Sequence, residues 1–346
     1  MRVVAAMSGG VDSSVVAGLL LEQGHEVIGV HMKLHNVVEG SAGHCCGLDD
    51  VMDARMVADS LGIPFYVMDL REAFKKAVMD DFAENYLAGR TPNPCVRCNG
   101  VLKFNVLLAR AKALGASHLA TGHYAKLDES GSLFRALDHV KDQTYFLFPA
   151  KRSAFQQTLF PLGGMTKAEV RAHAVRLGLI TSNKPESQDV CFIPDDDHTR
   201  FVREHANDPD ASGDIVNEEG EVLGQHDGYF RYTIGQRRGL GVAAGYPLYV
   251  LKIDALQRRV VVGPADRLLE QGLIASGMNW FRRPEPGESI CARIRHNGGL
   301  IPCEVEGDEP ITVRFQAPTR AVAPGQAVVL YAGEEVLGGG WIERAL

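Results

Sequence analysis

"VVAAMSGGVDSSVVAGLL", Val3–Leu20, sets two glycines and three serines between an apolar run and a second apolar run of different period. Val3 to Met7 reads as a short buried strand. From Asp12 to Gln23 the apolar residues recur at helical spacing, ending at Gly24, and Glu26 to Met32 reads as another strand, so the opening is a β-α-β unit. The alternation continues with Asp49 to Leu61 helical, Phe65 to Leu70 extended, Leu102 to Leu114 helical and His118 to Gly122 extended. Such alternation predicts a parallel sheet with helices on both faces. Thr166 and Glu169 form a capping-box pair that opens a further helix ending near Gly178.

Beyond about Pro194 the character changes. Short β-rich runs at Pro247 to Ile253, Arg259 to Gly263, Ile290 to Arg295, Ile311 to Phe315 and Ala327 to Tyr331 are separated by Gly, Pro and Asn turn signals, with a hairpin turn at His296-Asn297-Gly298-Gly299. The expected division is a catalytic domain over 1–194, a mixed or β-rich middle domain over 195–274 and a C-terminal β-barrel over 275–346. A chain of 346 residues, 45% hydrophobic, is long enough for two or three such cores. No stretch approaches the roughly 18 uninterrupted apolar residues of a membrane span, and Met1 leads directly into a strand-like run, so a cytoplasmic protein is expected. Seven irregularly spaced cysteines do not form a secreted disulfide framework; in a reducing compartment they are catalytic, metal-binding or buried.

In a parallel α/β sheet, ligands sit at the carboxyl ends of strands, where a glycine-rich turn lets backbone N–H groups and a helix N-terminus face an anion. Phosphate is the obvious guest. The chain has neither G-x-x-x-x-G-K-[ST], which would bring a lysine to a γ-phosphate, nor G-x-G-x-x-G for a dinucleotide. With Ser8, Asp12, Ser13 and Ser14 around Gly9 and Gly10, the stretch resembles the S-G-G-x-D-S loop of the ATP pyrophosphatases. That resemblance implies transfer of AMP rather than of a phosphoryl group.

A second constellation is "TPNPCVRCN", Thr91–Asn99. Its prolines fix an extended loop, and Asn99 reads as the N-cap of the helix that follows. Cys98 is then expected beside a helix N-terminus with Lys103 nearby, both favouring thiolate. Cys95 and Cys98 also have the spacing of half a zinc knuckle, but no second C-x-x-C pair completes it. The third constellation is "SQDVCFIP", Ser187–Pro194, with Cys191 between apolar neighbours.

Together with "ATGHYA" (Ala120–Ala125), "KDQTYFL" (Lys141–Leu147), "GQRRGLG", "PGQAVVLY" and "LGGGWI", these motifs in order resemble the tRNA-specific 2-thiouridylase family over nearly the whole chain. The resemblance implies an adenine nucleotide alpha hydrolase-like, Rossmann-like first domain and ATP-dependent 2-thiolation of the wobble uridine of tRNA. Oxide is a poor leaving group, and adenylating the C2 oxygen turns it into AMP, a good one. Sulfur then arrives from a cysteine persulfide, and a second thiolate cuts the S–S bond. The resemblance makes Cys191 the persulfide carrier and Cys98 the partner nucleophile. It places ATP, with Mg2+, at Ala6, Met7, Ser8, Gly9, Gly10, Val11, Asp12, Ser13, Met32 and Gly122, and the target base at Asn93, Pro94 and Cys95. It gives tRNA contacts to His123, Lys141, Asp142, Gln143, Arg295, His296 and Gln326, and it implies an upstream protein sulfur donor.

One position departs from the pattern: many relatives carry an aspartate where this chain has Cys95, so general acid or base work there does not transfer to a thiol. An alternative use of Cys95, Cys98 and Cys191 is to hold three irons of a 4Fe-4S cluster. Cys45 and Cys46 lie in a loop that reads first as one whose cysteines carry no chemistry, with a segment over the site as the alternative. The formal net charge is −7, yet Asp227 to Arg295 carries eleven Lys and Arg against six Asp and Glu, a locally basic stretch suited to RNA phosphates. The rival readings are another adenylating enzyme, such as an amidating ligase, and a tRNA-binding or metal-carrying module without turnover.

Overall fold

Val3, Val4 and Ala5 are fully buried, and Val27, Ile28 and Val30 nearly so. Strands covered on both faces are written as unbroken apolar runs, which is why these segments lack the alternation of a half-exposed sheet. The computed structural model describes residues 1–36, 48–186, 190–193, 195, 197–207 and 209–346. In it β1 (Arg2–Ala6), α1 (Val11–Glu22), β2 (Glu26–Lys33), α2 (Leu48–Leu61) and β3 (Phe65–Asp69) follow the alternation expected. Next come α3 (Arg71–Phe74), a π-helical turn over Lys75–Met79 and α4 (Asp80–Leu87). After a break, α5 (Pro94–Arg97), a π-helical stretch over Cys98–Leu107 and α6 (Leu108–Ala113) run on without interruption. β4 (His118–Ala120), a hairpin of β5 (Ala125–Leu127) and β6 (Leu133–Arg135), α7 (Arg152–Phe155), β7 (Thr158–Leu159) and α8 (Lys167–Arg176) complete this part.

The described chain divides into two units. The first comprises Met1–Val78, Cys95–Asp196 and Glu334–Val336. Its sheet has the order β3-β2-β1-β4-β7, with parallel pairings throughout and β1 at the centre. Val15, Val16 and Leu20 of α1 pack with Val57 of α2 and Val170 and Ala174 of α8 in one apolar core. The capping box at α8 is formed on both sides: Thr166 accepts from the Glu169 N–H, and Glu169 accepts from the Thr166 N–H.

The second unit comprises Met79–Pro94, Asp197–Gly333 and Leu337–Leu346. A helix the β-rich pattern did not suggest, α9 (His198–His205), packs on α4, with Phe82 edge-on to Phe201 at 5.7 Å and Tyr86 stacked on His198 at 4.8 Å. Asp197 caps it by accepting from the Arg200 N–H. β8 (Gly213–Val216), β9 (Val222–His226), β10 (Tyr249–Asp254) and β11 (Arg259–Gly263) form a four-stranded sheet in the order β10-β11-β8-β9. β12 (Leu269–Trp280), β13 (Ile290–Arg293), β14 (Ile301–Glu306), β15 (Ile311–Arg320), β16 (Ala327–Ala332) and β17 (Glu335–Ala345) make an antiparallel barrel in the order β12-β15-β14-β13-β16-β17. It closes through β12 and β17, with Leu273 opposite Ala345. Leu273, Ala292, Val313, Leu330 and Ile342 fill its interior. The fold is therefore the expected α/β domain followed by β-rich parts. The strand Leu269–Trp280 runs across the expected boundary at Ile274, because its pairing with β15 already begins at Leu269. Among the described residues, no helix is long and apolar enough to cross a membrane.

Candidate active site

β1 delivers the chain to Met7, whose N–H still pairs with the Val30 carbonyl at 2.8 Å. Gly9 then takes φ +84°, and a Cβ there would stand 2.2 Å from the Asp50 carbonyl oxygen, so only glycine fits the turn. Ser13 Oγ receives the Ser8 N–H at 3.1 Å, and both Ser13 Oγ and Ser14 Oγ donate to the Gly10 carbonyl, at 3.2 and 2.8 Å. The serines fold the turn back on itself. Gly10 occupies the N-cap of α1 and offers no side chain, so the first-turn N–H groups are left to an external acceptor. Gly122, just past β4, leans on this turn: a Cβ on it would lie 3.1 Å from the Ser13 nitrogen.

Asp12 stands in the first turn of α1. Its carboxylate accepts from Tyr124 Oη at 3.1 Å and from Lys167 Nζ at 2.7 and 2.9 Å. Lys167 also meets Glu186 at 2.8 Å, and Glu186 meets Lys141 at 2.7 Å. Burial opposes the charge of Glu186, but hydrogen bonds from Lys141 and Lys167 outweigh it and bring its carboxyl down to about 2. Lys184 Nζ donates to the Gly9 carbonyl at 3.0 Å and to Asp50 and Asp53 at 2.6 and 2.5 Å. Tyr124, Lys167, Lys184, Glu186, Asp50 and Asp53 were not among the residues singled out from sequence. The five charged ones offer only charge at positions far apart in the chain, which composition does not sort into partners, and Tyr124 stands inside the ATGHYA stretch with nothing to mark its hydroxyl.

The cysteine loop differs from its expectation. The helix starts at Pro94, not after Asn99, because proline suits a first helical position, where no N–H is needed. Cys98 therefore sits one turn inside a continuous helix. Burial raises its thiol pKa, and the opposing pull of Lys103 does not overcome it, so the thiol rather than the thiolate is favoured here. Asn99 is buried and donates to the Phe146 carbonyl at 3.3 Å instead of capping a helix. Cys95 is exposed and Cys191 half-buried; these, Cys98, Cys291 and Cys303 are thiols rather than disulfides. Among the described residues, no group of three or more His, Cys, Asp or Glu stands close enough to hold a metal ion. Cys95, Cys98 and Cys191 thus do not form a cluster's ligand set in this arrangement. Cys45 and Cys46 lie outside the described residues.

His123 is buried, 5.8 Å from the Phe104 ring and 5.7 Å from the Phe160 ring. Desolvation, with Lys103 adding to it, drives its pKa far down, so the ring is neutral. Lys103 donates to Nε2 at 3.4 Å, which leaves the proton on Nδ1 for Thr121 Oγ1 at 2.6 Å. Asp142 is also buried and holds the Ala136 N–H and the Thr144 hydroxyl. Gln143 Oε1 accepts from the Tyr124 N–H at 3.0 Å. In the second unit, Arg295 donates to the Arg320 and Ala321 carbonyls at 2.7 and 2.6 Å. There Gln326 Nε2 holds the Thr91 and Pro92 carbonyls at 3.0 and 3.3 Å, next to Asn93 in sequence.

The basic stretch is partly neutralised. Arg231 pairs with Asp227 and Arg282 with Glu288 inside it, while Arg258, Arg267 and Arg283 pair with Asp210, Glu218 and Asp308 outside it. Arg237 and Arg238, both exposed, have no ion-pair partner among the described residues.

A parallel α/β sheet with an uncapped helix N-terminus behind a Gly-Gly turn at the carboxyl end of its central strand is the architecture of anion-binding α/β domains. Residues 1–195 match the family described as tRNA methyl transferase HUP domain, 199–264 its PRC-barrel domain and 270–342 the aminomethyltransferase beta-barrel domain. The tRNA-specific 2-thiouridylase MnmA of Geotalea uraniireducens is 51% identical over 358 residues, covering 100% of this chain and 96% of that protein. Those of Geobacter metallireducens and Carboxydothermus hydrogenoformans are 50% and 49% identical, each over 100% of this chain and over 97% and 98% of their own lengths. The chain belongs to the tRNA-specific 2-thiouridylase family.

Proposed function

We propose that the chain replaces the C2 oxygen of the wobble uridine of tRNA by sulfur at the expense of ATP, giving AMP and diphosphate. The observation that carries this reading is the uncapped start of α1 behind Gly9 and Gly10, in a chain related along its whole length to 2-thiouridylases. The ATP subsite is assigned to Ala6–Ser13, Met32 and Gly122. Mg2+ would enter with the phosphates; Asp12 is the carboxylate of this subsite, and to hold the ion it would exchange the Lys167 ammonium that both its oxygens accept from in this structure.

The target base is assigned to Asn93, Pro94 and Cys95, and tRNA contacts to His123, Lys141–Gln143, Arg295, His296 and Gln326. For His123 and Asp142, whose side chains are buried, any such contact requires local rearrangement or backbone groups. We place the catalytic domain at 1–194 and the middle, tRNA-orienting domain from 195 to the residue before Leu269, so that the barrel keeps its first strand whole.

Sulfur arrives on Cys191 as a persulfide from an upstream protein donor. Its terminal sulfur attacks C2 of the adenylated uridine, forming C–S and expelling AMP. The Cys98 thiolate then attacks Cys191 Sγ; the 2-thiouridine sulfur leaves with the S–S electron pair, and a Cys98–Cys191 disulfide remains for a thiol reductant to reopen. Cys98 gives its proton to solvent before attack. A cytoplasmic setting, where thiols stay reduced, suits this cycle. No step passes through an iron–sulfur cluster. The test is incubation with ATP, magnesium, a persulfide source and unmodified tRNA, read by nucleoside mass spectrometry and AMP release. 2-Thiouridine formed together with AMP supports the reading, and AMP without thiolation, or neither, overturns it.

A further inference from the structure

We propose that Lys184 is a positioning residue for the nucleotide loop, fixing the Gly9–Gly10 peptide and neutralising the carboxylates behind it; this rests on the reading of that loop as the ATP pyrophosphate site. The three protons of its ammonium match its three acceptors, the Gly9 carbonyl at 3.0 Å, Asp50 at 2.6 Å and Asp53 at 2.5 Å. Asp50 and Asp53 lie three residues apart near the start of α2, so both carboxylates face the same side. Asp50 is only 8% exposed, and its backbone touches Gly9 so closely that position 9 admits no Cβ. Burial works against the charge of Lys184, but hydrogen bonds to the two aspartates raise its pKa overall, so it remains a cation.

Two consequences reach the loop. In a trans peptide the C=O and N–H point opposite ways. A Gly9 carbonyl held toward Lys184 therefore turns the Gly10 N–H to the other edge of the peptide, and the orphan N–H groups of α1 follow directly in the chain. Were the lysine absent, that peptide would be free to present its carbonyl, which repels phosphate. The second consequence is charge. Lys184 with Asp50 and Asp53 sums to −1; without the lysine the pair stands at −2 beside a turn that must receive a polyanion. The lysine thus supports ATP binding from behind the loop without being a phosphate ligand itself.

The experiment compares wild type, Lys184→Met, Lys184→Arg, Asp53→Asn and the double variant Lys184→Met/Asp53→Asn. ATP affinity is read by equilibrium dialysis with labelled ATP, tRNA affinity by filter binding, and folding by thermal melting. Lys184→Met should weaken ATP binding at least about tenfold and leave tRNA affinity within about twofold, with Asp53→Asn restoring about threefold or more and Lys184→Arg staying near wild type. Unchanged ATP affinity in Lys184→Met overturns the proposal. So does an equal loss toward ATP and tRNA with no recovery in the double variant, which is the mark of general damage. Should Lys184→Met melt below the assay temperature, the single variant Asp53→Asn decides it: with the lysine kept, the trio sums to zero, so ATP affinity should rise above that of wild type, and an unchanged affinity overturns the proposal. A wild type that binds no ATP contradicts the functional reading itself, a result distinct from a variant series that binds ATP equally.

Discussion

Cys98 and Cys191 illustrate how much a residue's surroundings alter what its identity suggests. Cys191→Ala should abolish thiolation, by at least about a thousandfold, while tRNA affinity stays within about twofold; thiolation at the wild-type rate by that variant would remove it from the sulfur path. Burial keeps the Cys98 thiol protonated above the usual range, against the pull of Lys103. Its alkylation by iodoacetamide near neutral pH should therefore be slower than that of an exposed cysteine and should accelerate with rising pH, and Lys103→Met should slow it further. A faster reaction in Lys103→Met would show that the lysine does not act on this sulfur. Asp12→Ala should block AMP formation, because the carboxylate ties the first turn of α1 to Tyr124 and Lys167.

At the scale of elements, Glu186 beyond α8 is linked to the nucleotide loop through charge, by way of Lys167 and Asp12. Glu186 is ionised down to about 2, well below its unfolded value, so its ion pairs with Lys141 and Lys167 contribute stability above the ordinary carboxylate range and lose it as pH falls toward 2. Replacing it by glutamine should flatten that part of the acid limb in a pH series of urea melts; an unchanged limb would mean that the pairs add nothing. The helix from Pro94 to Ala113 shows where sequence reading stopped short. Its apolar spacing is legible from Leu102, but its start is not, because a proline reads equally as a breaker and as a first helical residue until the fold decides. The capping box at Thr166, by contrast, is legible in the sequence, since both partners lie within four residues and need nothing distant.

At the scale of the whole molecule, an acidic chain that binds tRNA needs a local cationic surface. The ion pairs leave Arg237 and Arg238, with Arg259 and Arg295, as exposed cations of the stretch without an ion-pair partner among the described residues. Replacing Arg237 and Arg238 by alanine should weaken tRNA binding and reduce the slope of log affinity against log salt by about 1 to 2; an unchanged slope would place the phosphate contacts elsewhere. Cys95→Asp should retain thiolation, because Cys95 is exposed and no three-ligand metal group forms among the described residues. Loss of activity together with bound iron would instead revive the cluster.

The strand–helix alternation of the first domain, the glycine-serine turn before α1 and the capping box are legible in the sequence, because each is encoded within a few residues by periodicity, glycine or a local side chain. The partners of Asp12, Gly9 and Gln326 required the tertiary structure. Lys167 lies 155 residues from Asp12, Lys184 lies 175 from Gly9, and Gln326 lies 235 from Thr91. A charge or an amide in the sequence states what it can bond, and only the folded chain brings that partner within reach. The same holds for Cys98 and His123: composition marks them as titratable, but the burial that shifts both pKa values exists only once helix, sheet and aromatic rings have closed around them.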